Sequence, residues 1–195
     1  MGGHGQEVLF RDIQKNCTFA FSKIKEMKPR VSIIMGSTSD LPVMEGACKF
    51  LESNEIPFEM LALSAHRTPD EVAEYAKHAH ERGVEVIIAG AGMAAHLPGV
   101  IAAMTPLPVI GVHIKATLDG LDAALAMLQM PPGIPVATVA INGAQNAAIL
   151  AMQILANGDP MMMERVIRHK AQLKQKIVKA NAELEAIDTY KFKTN

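Results

Sequence analysis

The sequence predicts an α/β domain in which helices cover both faces of a central parallel sheet. Two observations carry that expectation. From Val31 to Ala156, short apolar runs alternate with helical segments, the pattern of repeated strand–helix units. Clusters of glycine and polar residues follow three of these runs, at Gly36–Asp40, Ser64–Thr68 and Gly90–His96. In a parallel sheet, ligands bind beyond the carboxyl ends of the strands, so these clusters are read together as one candidate site.

The elements follow in order. Val31-Ser32-Ile33-Ile34-Met35 is an apolar run that stops at Gly36 and reads as a buried strand. Leu41 to Ser53 reads as a helix, Phe58 to Leu63 as a second strand, and Pro69 to Arg82 as a second helix. Thr68 and Glu71 have the spacing of a capping box, with Pro69 at the first helical position. Val84 to Ala89 is expected as the third strand, Leu97 to Met104 as a helix, and Pro108 to Val112 as the fourth strand. Leu118 to Leu128 is a further helix, Pro135 to Val139 a fifth strand, and Ala144 to Ala156 the last core helix.

Two segments flank this core. Residues 1–30 form an N-terminal extension, with a helix of mixed polarity expected over Glu7–Met27 and a break at Pro29. Residues 160–195 are rich in Lys, Gln, Glu and Ala and predict a long amphipathic helix over Met161–Ile187. Its apolar positions are Ile167, Leu173, Ile177, Leu184 and Ile187. Such a helix either lies on its own domain or embraces another subunit. Residues 31–159 between the two flanks are the expected catalytic domain.

Composition narrows the function. The chain has 195 residues, 49% of them apolar, and a net charge of -1 with both signs spread along its length. It lacks the basic excess of a nucleic-acid binder, and it has no Trp. No apolar run is long enough to span a bilayer, and the first thirty residues lack the order of a signal peptide. The cysteines, Cys17 and Cys48, form no CxxC pair, which argues against a thiolate metal site and fits a reducing, cytoplasmic compartment.

The first cluster, Gly36-Ser37-Thr38-Ser39-Asp40, combines hydroxyls with a helix start and suits a phosphate. Asp40 repels phosphate; it either caps the helix or accepts from sugar hydroxyls. The second, Ser64-Ala65-His66-Arg67-Thr68-Pro69, pairs an imidazole able to move protons near neutral pH with a guanidinium able to grip an anion. A strand-to-helix connection requires Thr68 and Pro69, but neither His66 nor Arg67. The third, Ala89-Gly90-Ala91-Gly92-Met93-Ala94-Ala95-His96-Leu97-Pro98-Gly99, fits a loose dinucleotide fingerprint. It follows the third strand rather than the first, and no acidic residue closes the next strand. Its small residues are read instead as letting backbone N–H groups approach a carboxylate or carbon dioxide, with His96 as a candidate for the pocket wall. His78 and His80 point in different directions on a helix, and His4 and His169 are expected in solvent.

Taken together and in this order, these clusters, with Gln129-Met130-Pro131 and Gly133-Ile134-Pro135, resemble the family of N5-carboxyaminoimidazole ribonucleotide mutases. The resemblance covers Val31 to Asp159. It implies a three-layer flavodoxin-like fold with an extra C-terminal helix, and a homo-octamer with sites at subunit contacts. It also implies a small ribonucleotide substrate, no metal and no organic cofactor. Ser37, Ser39 and Arg67 would hold the phosphate, Asp40 the ribose hydroxyls, and His66 would be the general acid and base. Ser64, Gly90, Gly92, His96 and Leu97 would complete the substrate pocket. Two departures from the family pattern stand out: Met93 replaces an expected glycine, and His113-Ile114-Lys115-Ala116-Thr117 replaces a longer segment that starts with proline. The competing readings are a carboxylase acting on the uncarboxylated ribonucleotide, a nicotinamide dehydrogenase, and a non-catalytic phosphate-binding module.

Overall fold

The computed structural model describes residues 27–195. The expected helix over Glu7–Met27 lies essentially outside them, as do His4 and Cys17. Five strands form one all-parallel sheet: β1 (Val31–Met35), β2 (Phe58–Ala62), β3 (Val86–Gly92), β4 (Val109–Ile114) and β5 (Ala137–Thr138). Their spatial order is β2-β1-β3-β4-β5, the flavodoxin-like arrangement. Six α-helices accompany them: α1 (Leu41–Ser53), α2 (Pro69–His78), α3 (Leu97–Met104), α4 (Leu121–Leu128), α5 (Ala144–Ala156) and α6 (Pro160–Glu185).

The apolar runs are continuous because both sheet faces are buried. Val31, Ile33, Val86, Ile88, Ile110 and Val112 face one layer, where α1, α5 and the first turn of α6 close over them. Ile34, Ile87, Ala89 and Val109 face the other, against α2, α3 and α4. Burial of each Val or Ile side chain among them is worth roughly 1.5–3 kcal/mol.

Several boundaries differ from expectation for local reasons. β3 continues through Gly90, Ala91 and Gly92 because Ala91 and Gly92 still pair with His113 and Ile114 of β4. A Cβ on Gly90 would stand 2.5 Å from the Met44 sulfur of α1, so this glycine lets helix and strand meet. The second helix ends at His78, and the chain tightens into a 3-10 turn, His80–Arg82, before Gly83 turns left-handed. Asp119 has φ +55, which starts α4 at Leu121 rather than Leu118. β5 keeps only two residues, at the sheet edge beyond a connection whose three prolines, Pro131, Pro132 and Pro135, lack N–H donors.

The C-terminal helix divides in two. Asp159 caps it, accepting from the N–H groups of Met161 at 3.0 Å and Met162 at 3.2 Å. Arg30 reaches the same carboxylate at 2.6 Å and also binds Glu85. Arg30 thereby ties the start of β1 to the start of α6 and holds the Asp159 carboxyl below the usual carboxylate range. Met162 is buried, and His169 packs edge-on against Phe50 at 5.1 Å. His169 is therefore part of an intramolecular contact rather than a solvated extension. Beyond it, Leu173, Ile177, Val178, Leu184 and Ile187 stay exposed. The first turns lie on their own domain, and the remainder presents an uncovered apolar stripe.

Candidate active site

The three clusters converge where the strand order reverses between β1 and β3, the place where ligands bind in such sheets. A cavity of about 550 Å³ opens there. Gly36, Ser37, Ser39 and Asp40 come from the end of β1, and Ser64, Ala65, His66 and Arg67 from the end of β2. Ala91 and Gly92 of β3, Met93 and Ala94 beyond it, and Leu97 of α3 form the next wall. Ile114 and Ala116, from the end of β4, complete it.

At the first wall, Ser37 accepts a hydrogen bond from the Ser39 N–H at 3.3 Å, and Asp40 accepts one from the Ser37 N–H at 3.2 Å. This reciprocal cap folds residues 38–40 into a 3-10 turn. It leaves the Ser37 and Ser39 side chains on the cavity wall. Burial pushes the Asp40 carboxyl above the usual carboxylate range. The backbone N–H groups of Ser37 and Gly36, the Ser39 hydroxyl and the positive charge of Arg67 oppose that shift.

The second wall is a closed loop. The Thr68 hydroxyl accepts from the Ser64 N–H at 2.9 Å and donates to the Ser64 carbonyl at 3.2 Å. It is spent on the loop, so the expected Thr68–Glu71 capping box does not form; Thr68 makes no side-chain cap. The loop aims Arg67. Its guanidinium donates to the Gly36 carbonyl at 2.8 Å and to the Ser64 hydroxyl at 3.3 Å, and it makes no ion pair among the described residues. Ser64 thus holds the guanidinium as well as lining the cavity.

His66 meets His96 across the cavity's edge, with Nε2 2.9 Å from His96 Nδ1. One ring donates and the other accepts, which leaves Nδ1 of His66 unengaged by His96. His96 reaches the site through this contact and is not itself on the cavity wall. Gly90 is also away from the wall, buried within β3 against Met44. Gly90 and Gly92 are strand residues rather than a strand-to-helix turn, which removes the geometry a dinucleotide fingerprint needs. His113 is 3% exposed, and its ring nitrogens have no hydrogen-bond partner within 3.5 Å among the described residues. Burial lowers its pKa from the ordinary histidine value, although the Val139 carbonyl opposes the shift. Ile114 and Ala116 were absent from the expected site set. The signal that points to them is their position at a strand end. The Asn142 side chain fixes their loop by accepting from the Lys115 N–H at 2.8 Å.

Met93 stands at φ +54. A side chain in this left-handed region costs roughly 1–2 kcal/mol relative to glycine. The residue is 59% exposed, so its side chain sits at the rim rather than filling the interior. Among the described residues no group of three His, Cys, Asp or Glu side chains is placed to hold a metal. No described helix is long and apolar enough to cross a membrane.

A family model described as AIR carboxylase matches residues 30–176. This chain belongs to the AIR carboxylase family. Among its relatives, the N5-carboxyaminoimidazole ribonucleotide mutase of Pyrococcus abyssi is 58% identical over 153 residues, covering 78% of this chain and 88% of that protein. The phosphoribosylaminoimidazole carboxylase of Ogataea methanolica is 62% identical over 134 residues, covering 68% of this chain but 25% of that protein. A solved structure of a Treponema denticola PurE2 variant superimposes with a TM-score of 0.74 at 28% identity, covering 81% of this chain and 99% of that one. The family thus includes relatives named for two activities, and the site's walls belong to the portion that the family model matches.

Proposed function

We propose that this chain is an isomerase of de novo purine (IMP) biosynthesis, converting N5-carboxyaminoimidazole ribonucleotide to 4-carboxy-5-aminoimidazole ribonucleotide. The observation that carries the reading is the adjacent pair His66 and Arg67. They stand beside the Ser37–Asp40 turn, in a cavity whose far wall combines the small residues Ala91, Gly92, Ala94 and Ala116 with Met93, Leu97 and Ile114. Arg67, Ser37 and Ser39 hold the substrate phosphate, a fork and two hydroxyls suited to its oxygens. Asp40 accepts from the ribose hydroxyls. Gly92 and Leu97 line the base, and Gly90 supports Gly92 within β3.

His66 serves both half-reactions. The bond between the exocyclic nitrogen and the carboxylate carbon breaks, its electron pair stays on nitrogen, and nitrogen takes a proton from His66. Neutral carbon dioxide remains in the pocket. The ring carbon then attacks it, and the proton on that carbon passes to His66, which restores the starting state. Nothing is oxidised or reduced, and no step calls for a metal or organic cofactor.

The sister carboxylase is the second reading, favoured by the 62% identity to the Ogataea methanolica protein. The mutase reading is preferred because the chain matches 88% of the Pyrococcus abyssi mutase and only a quarter of that carboxylase. Conversion of the carboxyamino substrate without added bicarbonate supports it. Conversion only of the uncarboxylated ribonucleotide, and only with bicarbonate, contradicts it.

A homo-octamer in the cytoplasm belongs to the same proposal. The uncovered stripe of α6 supports the assembly, as does a second one, Leu118, Leu121, Leu125 and Leu128, on and before α4. Contiguous exposed apolar surface of this kind marks protein contacts. A native mass near that of the 21.0 kDa monomer would contradict it.

A further inference from the structure

We propose that Met93 is a mobile apolar cap that keeps carbon dioxide in the pocket between the two half-reactions, an inference that rests on the mutase reading. Carbon dioxide is small, neutral and weakly hydrogen-bonding, so no charge in the site retains it. Retention depends on closing its exit and excluding water. The cavity wall contains three large apolar side chains: Leu97, Ile114 and Met93. Leu97 and Ile114 are 3% and 6% exposed and form fixed floor. Met93, at 59% exposure, is the one whose apolar surface is left for a bound ligand to cover.

The backbone makes this placement costly, and the chain keeps it. At φ +54 glycine would be relaxed and methionine is strained. The turn is held in place by the Ala95 N–H on the Met93 carbonyl at 2.9 Å and the His96 N–H on the Ala94 carbonyl at 2.8 Å. Strain retained at a functional site calls for a role of the side chain itself. The same turn delivers His96 to His66, so the cap sits on the segment that also reaches the proton carrier. An unbranched thioether is suited to the task, because its rotatable bonds let it fold over differently shaped occupants.

The test compares wild type with Met93→Ala and Met93→Gly. The carboxyamino substrate is supplied in bicarbonate-free buffer, and the released uncarboxylated ribonucleotide is measured against the carboxylated product. Both variants are expected to raise that ratio several-fold, because both lose the side chain. Met93→Gly alone is expected also to raise Tm, by about 2–4 °C, because it alone relieves the left-handed strain. Wild-type ratios in both variants overturn the cap while leaving the mutase reading intact. Leakage in Met93→Gly but not Met93→Ala also overturns it, assigning the effect to backbone freedom. A wild-type chain that forms no carboxylated product under these conditions overturns the mutase reading, and the cap with it.

Discussion

Replacing His66 by asparagine is expected to lower kcat by about two to four orders of magnitude, the range that a positioned general acid–base contributes. Substrate affinity is expected to change by no more than a few-fold. The reason lies in the division of labour at the end of β2. His66 carries the proton in both half-reactions, whereas the phosphate is held by Arg67 and the Ser37–Ser39 turn on the neighbouring wall. Asparagine still offers a polar group toward His96 Nδ1, now 2.9 Å from the imidazole, but it cannot exchange a proton near neutral pH. His66 is exposed, so the variant folds, and unchanged Tm separates lost chemistry from lost structure. Turnover within threefold of wild type would remove His66 from the mechanism and leave a non-catalytic phosphate-binding site as the better reading.

Arg67→Met is expected to raise KM by roughly 10–100-fold with a smaller effect on kcat. Hydrogen bonds to charged groups are worth about 1.5–3 kcal/mol each, and 1.4 kcal/mol is a factor of ten. Methionine keeps much of the length and apolar stem while removing charge and fork. The folded chain loses little, because Arg67 is exposed and its side chain bonds only the Gly36 carbonyl and the Ser64 hydroxyl among the described residues. Arg67→Lys restores the charge without the planar fork, so it is expected to recover only part of the affinity. Initial-rate kinetics across the three proteins read this directly. An Arg67→Met enzyme with wild-type KM would show that the phosphate is held elsewhere.

Much of this arrangement was legible in the residues. Leu41–Ser53, Leu97–Met104 and Ala144–Ala156 are helices with the bounds read from the sequence, because glycine, proline or polar residues bracket each apolar pattern. Ser37, Ser39, Asp40, Ser64, His66 and Arg67 fall in one cavity because each follows a strand of the same parallel sheet. What the sequence hid was tertiary. Gly90–Gly92 read as a turn because glycine is a poor strand former, yet β4 pairs with them and Met44 needs the space. The Thr68 hydroxyl had two uses, and only the folded loop shows that the Ser64 backbone takes it. His66 and His96 meet at 2.9 Å across the β1–β3 crevice, a contact that no local periodicity encodes. His169 and Phe50 meet in the same way, through the return of α6 onto α1.

The central claim is that the carboxyl group is moved within one closed site rather than drawn from solution. Carbon-13 placed in the carboxyamino group, with unlabelled bicarbonate in the buffer, follows it most directly. The account predicts that the label appears on the ring carbon's carboxylate in nearly every product molecule, at a rate independent of bicarbonate. Product carrying mainly unlabelled carboxylate, formed at a rate that rises with bicarbonate, would contradict it.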